Sequence, residues 1–462
     1  MRRNGRGMVM LAAMLLLVAP RSAAQRGGLK PPLQYAVGER SATQEPYKLT
    51  MQDAIQRGLQ ANLRVLAAQT RMDEAEGARE RRLANLLPRA KAESAAALQN
   101  RNLRAFGLSF PGVPPTVDPF STYDFRLYAE QPLFDLPSYR AWKASEKQHD
   151  ALRQDYQHAR DTIIRQVAGL YLNAQSAAAR VEAAGSRVRT ADELLKLAQE
   201  RRGAGVATGV DVLRAQVQLA NEQQRLLEAR NAAQQALLAL ARHIGMSPGT
   251  ALELADPLAF KPAEAPQTAA ALAASLANRA DYQSLQKQRE ALVELQKANR
   301  GRYLPRASVG ANWGGIGRSF GEVRQTGVLQ GTLSMTLFDR DREGERKELD
   351  SRVQRLEHHL ADLRLGIEEE IRAVLLRLES AQEEVGVSQQ GRELAQKEIE
   401  LARERFQAGV ATNIEVVTAQ DALARAQENY ILALTRHADA KIALARALGA
   451  TEKNYPGFLG IR

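Results

Sequence analysis

The chain has 462 residues, of which 25% are charged, with a net charge of +11 and no cysteine. The length allows one large domain or several ordinary ones. The missing cysteines exclude disulfides, thiolate metal sites, cysteine nucleophiles and a lipidated N-terminal cysteine. Basic residues are interleaved with glutamate, which is the pattern of a solvated helical face and not of a nucleic-acid footprint.

In chain order, Arg2, Arg3 and Arg6 precede the apolar run 8–18, and small residues follow at 22–24. This reads as a secretory signal peptide over 1–24, with an apolar stretch too short to span a bilayer. Its arginines at 2, 3, 6 and 21 account for 4 of the +11 charge and leave the mature chain near +7. An N-terminal extended segment covers 25–48.

The rest of the chain is built as a duplication. "LPRA" occurs at 87–90 and 304–307, "PLFD" at 132–135 pairs with "TLFD" at 336–339, and "LARHIG" at 240–245 pairs with "LARALG" at 444–449. The offset falls from 217 to 204 between the first pair and the rest, so the first half carries a longer loop near 106–120. The expected division is a first repeat over 49–245, a linker over 246–267 containing Pro248, Pro257, Pro262 and Pro266, a second repeat over 268–449, and a tail over 450–462. Each repeat is expected to run helix, strand, strand, long helix, interruption, helix.

Four stretches alternate apolar and polar residues: 89–98, 123–133, 306–313 and 328–337. About ten residues is the length of a tilted membrane strand, although the same alternation suits a soluble sheet with one wet face. Four strands cannot enclose a lumen. If they lie in lipid, the barrel is shared between chains, and three chains give a twelve-stranded one. Residues 141–202 and 341–407 carry uninterrupted helical patterns. The returning helices repeat every seven residues, at Val212, Leu219, Leu226 and Leu240 and at Val416, Leu423, Tyr430, His437 and Leu444, which is coiled-coil spacing. His243 and His437 on these stripes read as packed side chains, and His358–His359 lacks a third ligand at metal spacing.

Between the long helices lie "RRGAGVATGVDVLRAQ" (201–216) and "RFQAGVATNIEVVTAQ" (405–420). Both are expected to be tight reversals, at 203–210 and 407–414. Gly205 and Gly409 permit the backbone, and Thr208 and Thr412 cap the returning helices. Asp211 and Glu415 stand in the first turns of those helices, where a carboxylate meets the helix dipole favourably.

The ordered set of duplication, paired "LPRA" strand starts, strand hairpins and twin "AGVAT" turns resembles the TolC-type outer-membrane efflux proteins over the whole mature length. The resemblance implies an α+β membrane protein: a homotrimer with four membrane strands per chain in a twelve-stranded barrel, and a long coiled-coil α-helical barrel in the periplasm. It implies a passive exit duct in the outer membrane lipid. The duct docks to a periplasmic adaptor (membrane-fusion) protein and an inner-membrane transporter of the RND, ABC or similar class. Gly205, Val206, Ala207 and Thr208, with Gly409, Val410, Ala411 and Thr412, match the adaptor-contact tips. Glu415 matches an acidic position of the periplasmic entrance, with Asp211 in support. Thr418 replaces a second acid, Ala411 stands where some relatives carry arginine, and Phe406 where they carry tyrosine. The closing network is therefore expected to differ. A soluble periplasmic coiled-coil scaffold is the alternative. Neither a nucleophile-elbow serine nor an H-E-x-x-H zinc site is expected, so catalysis, cofactors and nucleic acid have no place in this reading.

Overall fold

The structure is a computed structural model, and it describes residues 46–449 and 451–452. The signal peptide, residues 25–45 of the N-terminal segment, and the tail apart from 451–452 lie outside the described residues.

The elements follow the duplication. Half one contains β1 (Tyr47–Leu49), α1 (Met51–Ala61), α2 (Leu63–Ala84), β2 (Arg89–Asn102), β3 (Thr116–Phe134), α3 (Leu136–Gly203) and α4 (Gly209–His243). After β4 (Leu252–Leu254), half two contains α5 (Thr268–Asn278), α6 (Ala280–Gly301), β5 (Arg306–Gly317), β6 (Arg324–Ser334), α7 (Asp341–Gln407) and α8 (Asn413–Ala447). With 68 residues in α3 and 67 in α7, each long helix extends roughly 100 Å at 1.5 Å per residue. No described helix is long and apolar enough to cross a membrane.

α3 pairs with α4, and α7 with α8, as antiparallel hairpins; α3 against α8 joins the two, leaving α4 and α7 at the outer edges. Nearer the sheet, α2 and α6 flank α3, and α6 also touches α7. Small buried residues line the helix contacts, Ala198 among them, packed with Val212 and Ala215 of α4. Ala151, Ala168, Ala184 and Ala198 of α3 and Ala440 and Ala445 of α8 are fully buried, and such side chains let helix axes approach closely. In α4 the expected apolar stripe holds at Val212, Ala215 and Leu240, but Leu226 is only half-buried and the buried side chain beside it is Glu222. Arg225 Nη1 lies 2.6 Å and Arg187 Nε 3.3 Å from that carboxylate. A paired charge interrupts the coiled-coil seam here, and apolar periodicity alone does not reveal it.

The core sits midway along the helices. Leu49, Ile55, Val65, Ile163, Ile164, Val167, Tyr171 and Leu240 form its centre, under a two-stranded parallel ribbon of β1 and β4. Gly245 and Gly449 terminate the two returning helices with φ of 70° each. A Cβ on Gly449 would lie 2.5 Å from the Arg279 backbone nitrogen, so the α5–α6 break packs directly on that turn.

The sheet runs β2–β3–β5–β6, antiparallel throughout. Register places Ala92 opposite Leu127 and Leu127 opposite Trp313 on one face. Ala311 opposite Leu329 and Ala307 opposite Leu333 continue it. That face is apolar and exposed: Leu98 74%, Leu127 55%, Trp313 52%, Leu329 79%, Leu333 76%. The other face carries Lys91 paired with Glu93 and Arg126 paired with Asp124, both on a single strand. All four strands differ in extent from expectation. β2 runs on to Asn102 and β5 to Gly317, β3 begins at Thr116, well before 123, and β6 spans Arg324–Ser334, so Met335 and Leu337 lie beyond it. β5 approaches β3 closely at Gly314. A Cβ on Gly314 would lie 1.9 Å from the Phe125 carbonyl oxygen, so glycine is required for that close approach.

Candidate functional site: the helical tips

Both interruptions are built the same way. α3 ends with Gly205 at φ 75° and α7 with Gly409 at φ 78°. Val206 N donates to Arg201 O at 2.9 Å and Gly205 N to Arg202 O at 3.0 Å; in tip two, Val410 N donates to Arg405 O and Gly409 N to Phe406 O, both at 3.0 Å. These paired bonds satisfy the last helical carbonyls and reverse the chain.

The next residues start the returning helices. Thr208 N donates to Asp211 Oδ2 at 2.9 Å, and Asp211 N to the Thr208 hydroxyl at 3.4 Å. The Thr208 hydroxyl also donates to Asp211 Oδ2 at 2.7 Å. The bonds from Thr208 hold the Asp211 carboxyl below its usual range. Tip two repeats this capping box with Glu415, more loosely: Thr412 N to Glu415 Oε1 is 3.5 Å. Arg405 Nη2 stands 3.6 Å from Glu415 Oε2.

Of the eight tip residues expected to meet a partner, Gly205, Val206, Thr208, Gly409, Val410 and Thr412 are exposed. Val206 and Val410 stand out at 63% and 67%. Ala207 and Ala411 are half-buried, and Ala411 packs on the cluster of Leu194, Ile399, Phe406, Val416 and Ala419. Phe406 is 5% exposed. Expected at the entrance, it packs in the protomer as a core side chain of the tip. Thr418 is exposed and lines a groove of about 360 Å³ with Val210, Leu213, Val217, Ile414 and Val417. The first turns of the two returning helices thus share an apolar furrow that tip-by-tip reading missed. Its signal was in the sequence, as Val210 and Leu213 align with Ile414 and Val417 at the 204-residue offset.

Elsewhere, chemistry-bearing residues are structural. His437 is 2% exposed, and its ring centroid lies 4.8 Å from that of Phe260. Among the described residues no cluster of histidine and carboxylate side chains could hold a metal. One motif contradicts the sequence expectation: Gly317, Ser319 and Gly321 do match G-x-S-x-G. Ser319 lies between β5 and β6, followed by a 3-10 turn at Phe320–Glu322 and a strand. The strand–turn–helix elbow that would raise a nucleophile is missing there.

A family profile described as "Outer membrane efflux protein" matches residues 54–246 and 271–450. The chain belongs to the outer membrane efflux protein family. This family member is 26% identical over 294 residues to the pyoverdine export outer membrane protein OpmQ of Pseudomonas aeruginosa, covering 62% of the chain and 61% of OpmQ. It is 23% identical over 335 residues to the alkaline protease secretion protein AprF of the same organism, covering 69% of each. The chain therefore spans about three fifths of OpmQ's length. In structure it matches the outer membrane protein VceC of Vibrio cholerae with a TM-score of 0.74 at 19% identity, over 86% of the chain and 96% of VceC. The CmeC outer membrane channel of Campylobacter jejuni matches with a TM-score of 0.73 at 16% identity, over 88% and 89%. The fold is that of these outer-membrane proteins: an internally duplicated α+β chain with a long helical body and a four-stranded β-domain.

Proposed function

We propose that the chain is the passive outer-membrane exit duct of a tripartite efflux or type I secretion system. Three copies close a twelve-stranded barrel in lipid, and their helices continue it as a tube into the periplasm. The tips dock to a periplasmic adaptor (membrane-fusion) protein, which couples the duct to an inner-membrane transporter of the RND, ABC or similar class. No reaction is catalysed and no cofactor is used.

One observation carries this reading. Among the described residues the sheet has two unpaired edges, β2 and β6, and a continuous exposed apolar face. Lipid covers such a face, and in lipid an open edge must pair. A soluble scaffold would leave both in water, where they invite aggregation. The helical edges agree. Leu213 and Leu227 of α4 are exposed, as are Val387, Leu394 and Leu401 of α7, seven residues apart. They suit α4 of one protomer packing on α7 of the next.

Detergent-extracted protein tests the proposal by native mass measurement and planar-bilayer recording. The expected result is a trimer that conducts ions. A stable monomer partitioning into the soluble periplasmic fraction would overturn it.

A further inference from the structure

Strand register sorts the charges of the sheet. The apolar face marked by Ala92, Leu127, Trp313 and Leu329 carries no charged residue between the β2 bulge, at Gln99 and Arg101, and the helices. Every charge of those paired segments stands on the other face, and the two β-hairpins share them unequally. On β2–β3 three cations meet three carboxylates. Lys91 pairs with Glu93 at 2.6 Å, Arg126 with Asp124 at 2.7 Å, and Arg89 lies opposite Glu130 in register. On β5–β6 the charges are Arg306 and Arg324, with no carboxylate.

These two arginines mark the ends of the β5–β6 polar face. Arg306 opposes Ser334, and Arg324 opposes Ile316. The two levels are roughly 34 Å apart along β6, at 3.4 Å per residue. Between them the face is neutral, with Asn312, Thr326, Gln330 and Thr332. Both arginines are exposed. Arg306 Nε comes within 3.9 Å of Asp135 Oδ1, which offsets part of its charge. Asp124 lies across Ile316 from Arg324, but it is taken by Arg126. Among the described residues Arg324 makes no ion pair. The distal ends of the strands lean the same way: Arg101, Arg104 and Arg318 are exposed there, against Asp118 and Glu322. The Arg318 guanidinium carbon lies 5.9 Å from the ring centroid of Phe120.

Inside a barrel such a surplus acts at a distance. The surrounding lipid has a low dielectric constant and focuses the field of each unpaired charge into the enclosed water. Three copies of Arg324 form one level of that field near the far mouth, and three of Arg306 another beside the helices. We propose that the barrel lumen is an anion-guiding exit, with Arg324 as its main charge and Arg306 second. It favours cargo bearing carboxylate or phosphate groups, which a guanidinium can meet bidentately. The proposal rests on the duct reading, which puts the charged face on the lumen. Its charge is opposite in sign to the Glu415 carboxylates at the tips, so separate variants test the two ends of the duct.

Planar-bilayer recording of the purified detergent-extracted protein under a KCl gradient tests this with wild type, Arg324→Gln, Arg324→Lys and Arg306→Gln. Arg324→Gln should raise the potassium-over-chloride permeability ratio about twofold or more near 0.1 M salt, where the Debye length is about 10 Å. The rise should shrink near 1 M, where that length is about 3 Å. Arg324→Lys keeps the charge and should keep the wild-type ratio. Arg306→Gln should shift the ratio the same way by less, because Asp135 already offsets part of that charge. Citrate and pyrophosphate added at the distal side probe the cargo chemistry. Block of wild type by either, weakened in Arg324→Gln, supports the proposal and names the group; block by neither overturns the cargo class. Equal permeability ratios in wild type and all variants overturn the anion exit and leave the duct standing. A shift of the same size at low and high salt also overturns it, since it then reports pore shape and not charge. No conductance from any protein, wild type included, overturns the duct reading and the anion exit together.

Discussion

The Tyr171 hydroxyl lies 3.0 Å from the Leu49 carbonyl oxygen and 2.9 Å from Asp256 Oδ2. One buried phenol in the middle of α3 thus holds both the segment that enters the first repeat and the segment that links the repeats. Burial, then the neighbouring Asp256 carboxylate, raise its pKa, so it stays protonated at any physiological pH. Asp256 Oδ2 also accepts Met51 N at 2.7 Å, the first residue of α1.

Tyr171→Phe should therefore loosen the β1–β4 ribbon without unfolding the hairpins. Removing the hydroxyl leaves Asp256 short of a donor and should cost about 1–3 kcal/mol. Faster hydrogen exchange confined to 47–55 and 252–256 is the expected measurement. Uniform loss of protection along α3 would refute the local role.

The tips present backbone and two exposed valines. Val206→Glu places a charge on that surface, and Gly409→Arg adds a side chain at φ 78°, where glycine is favoured. Both should abolish efflux complementation and adaptor cross-linking while leaving outer-membrane trimers intact. Normal efflux in both variants removes the tips from docking.

Glu415 holds a capping box and stands near Arg405. Three copies about one axis would still favour cations over anions. Glu415→Gln should lower cation selectivity and cost no more than about 1 kcal/mol of helix stability. Unchanged selectivity, with Asp211→Asn altering it instead, would assign the entrance charge to tip one.

Burial, then the neighbouring Lys441, lower the His437 pKa to about 4 from the ordinary 6.5. The unfolded chain takes up a proton between those values and the folded chain does not. Stability should thus fall as pH drops from 6.5 towards 4, by about 1–3 kcal/mol at the acid end. His437→Leu should flatten that slope in thermal midpoints measured across the window. An unaltered slope would place the acid sensitivity elsewhere.

Asp161 has the opposite sign. Burial, then repulsion from Glu452, raise its pKa to about 6 from 3.8. The folded form holds the proton more tightly, so its contribution falls as pH rises from 4 to 6 and stays low above. Asp161→Asn should raise the thermal midpoint at pH 7.5, with little change at pH 4. A lower midpoint at pH 7.5 would show that the charged form is well solvated in the fold.

Periodicity over long spans was easy to read. The seven-residue stripes, the strand alternation and the twin glycine turns each repeat a local signal, and the duplication displays most of them twice. Short or tertiary features were harder. The three-residue strands β1 and β4 are too brief for any period to register. Glu222 hides in a stripe of leucines and is tolerated because Arg187 and Arg225 reach it. At the tips, the caps could be inferred from Thr-x-x-Asp and Thr-x-x-Glu spacing. That Arg201 reaches across 205 positions to Phe406, and that the Phe406 ring faces inward, depends on how the two hairpins lie together.

The joints between sheet and helices are unequal. β3 runs into α3 through Asp135 alone, which accepts Ser138 N at 3.1 Å and starts the helix beside Pro137. β6 reaches α7 through residues 335–340. Hairpin one is thus joined to the sheet by one residue and hairpin two by a longer strap, whose Asp339 pairs with Arg302. A radial swing at the far end, some 100 Å away by helix rise, is therefore geometrically cheaper for α7 and α8 than for α3 and α4.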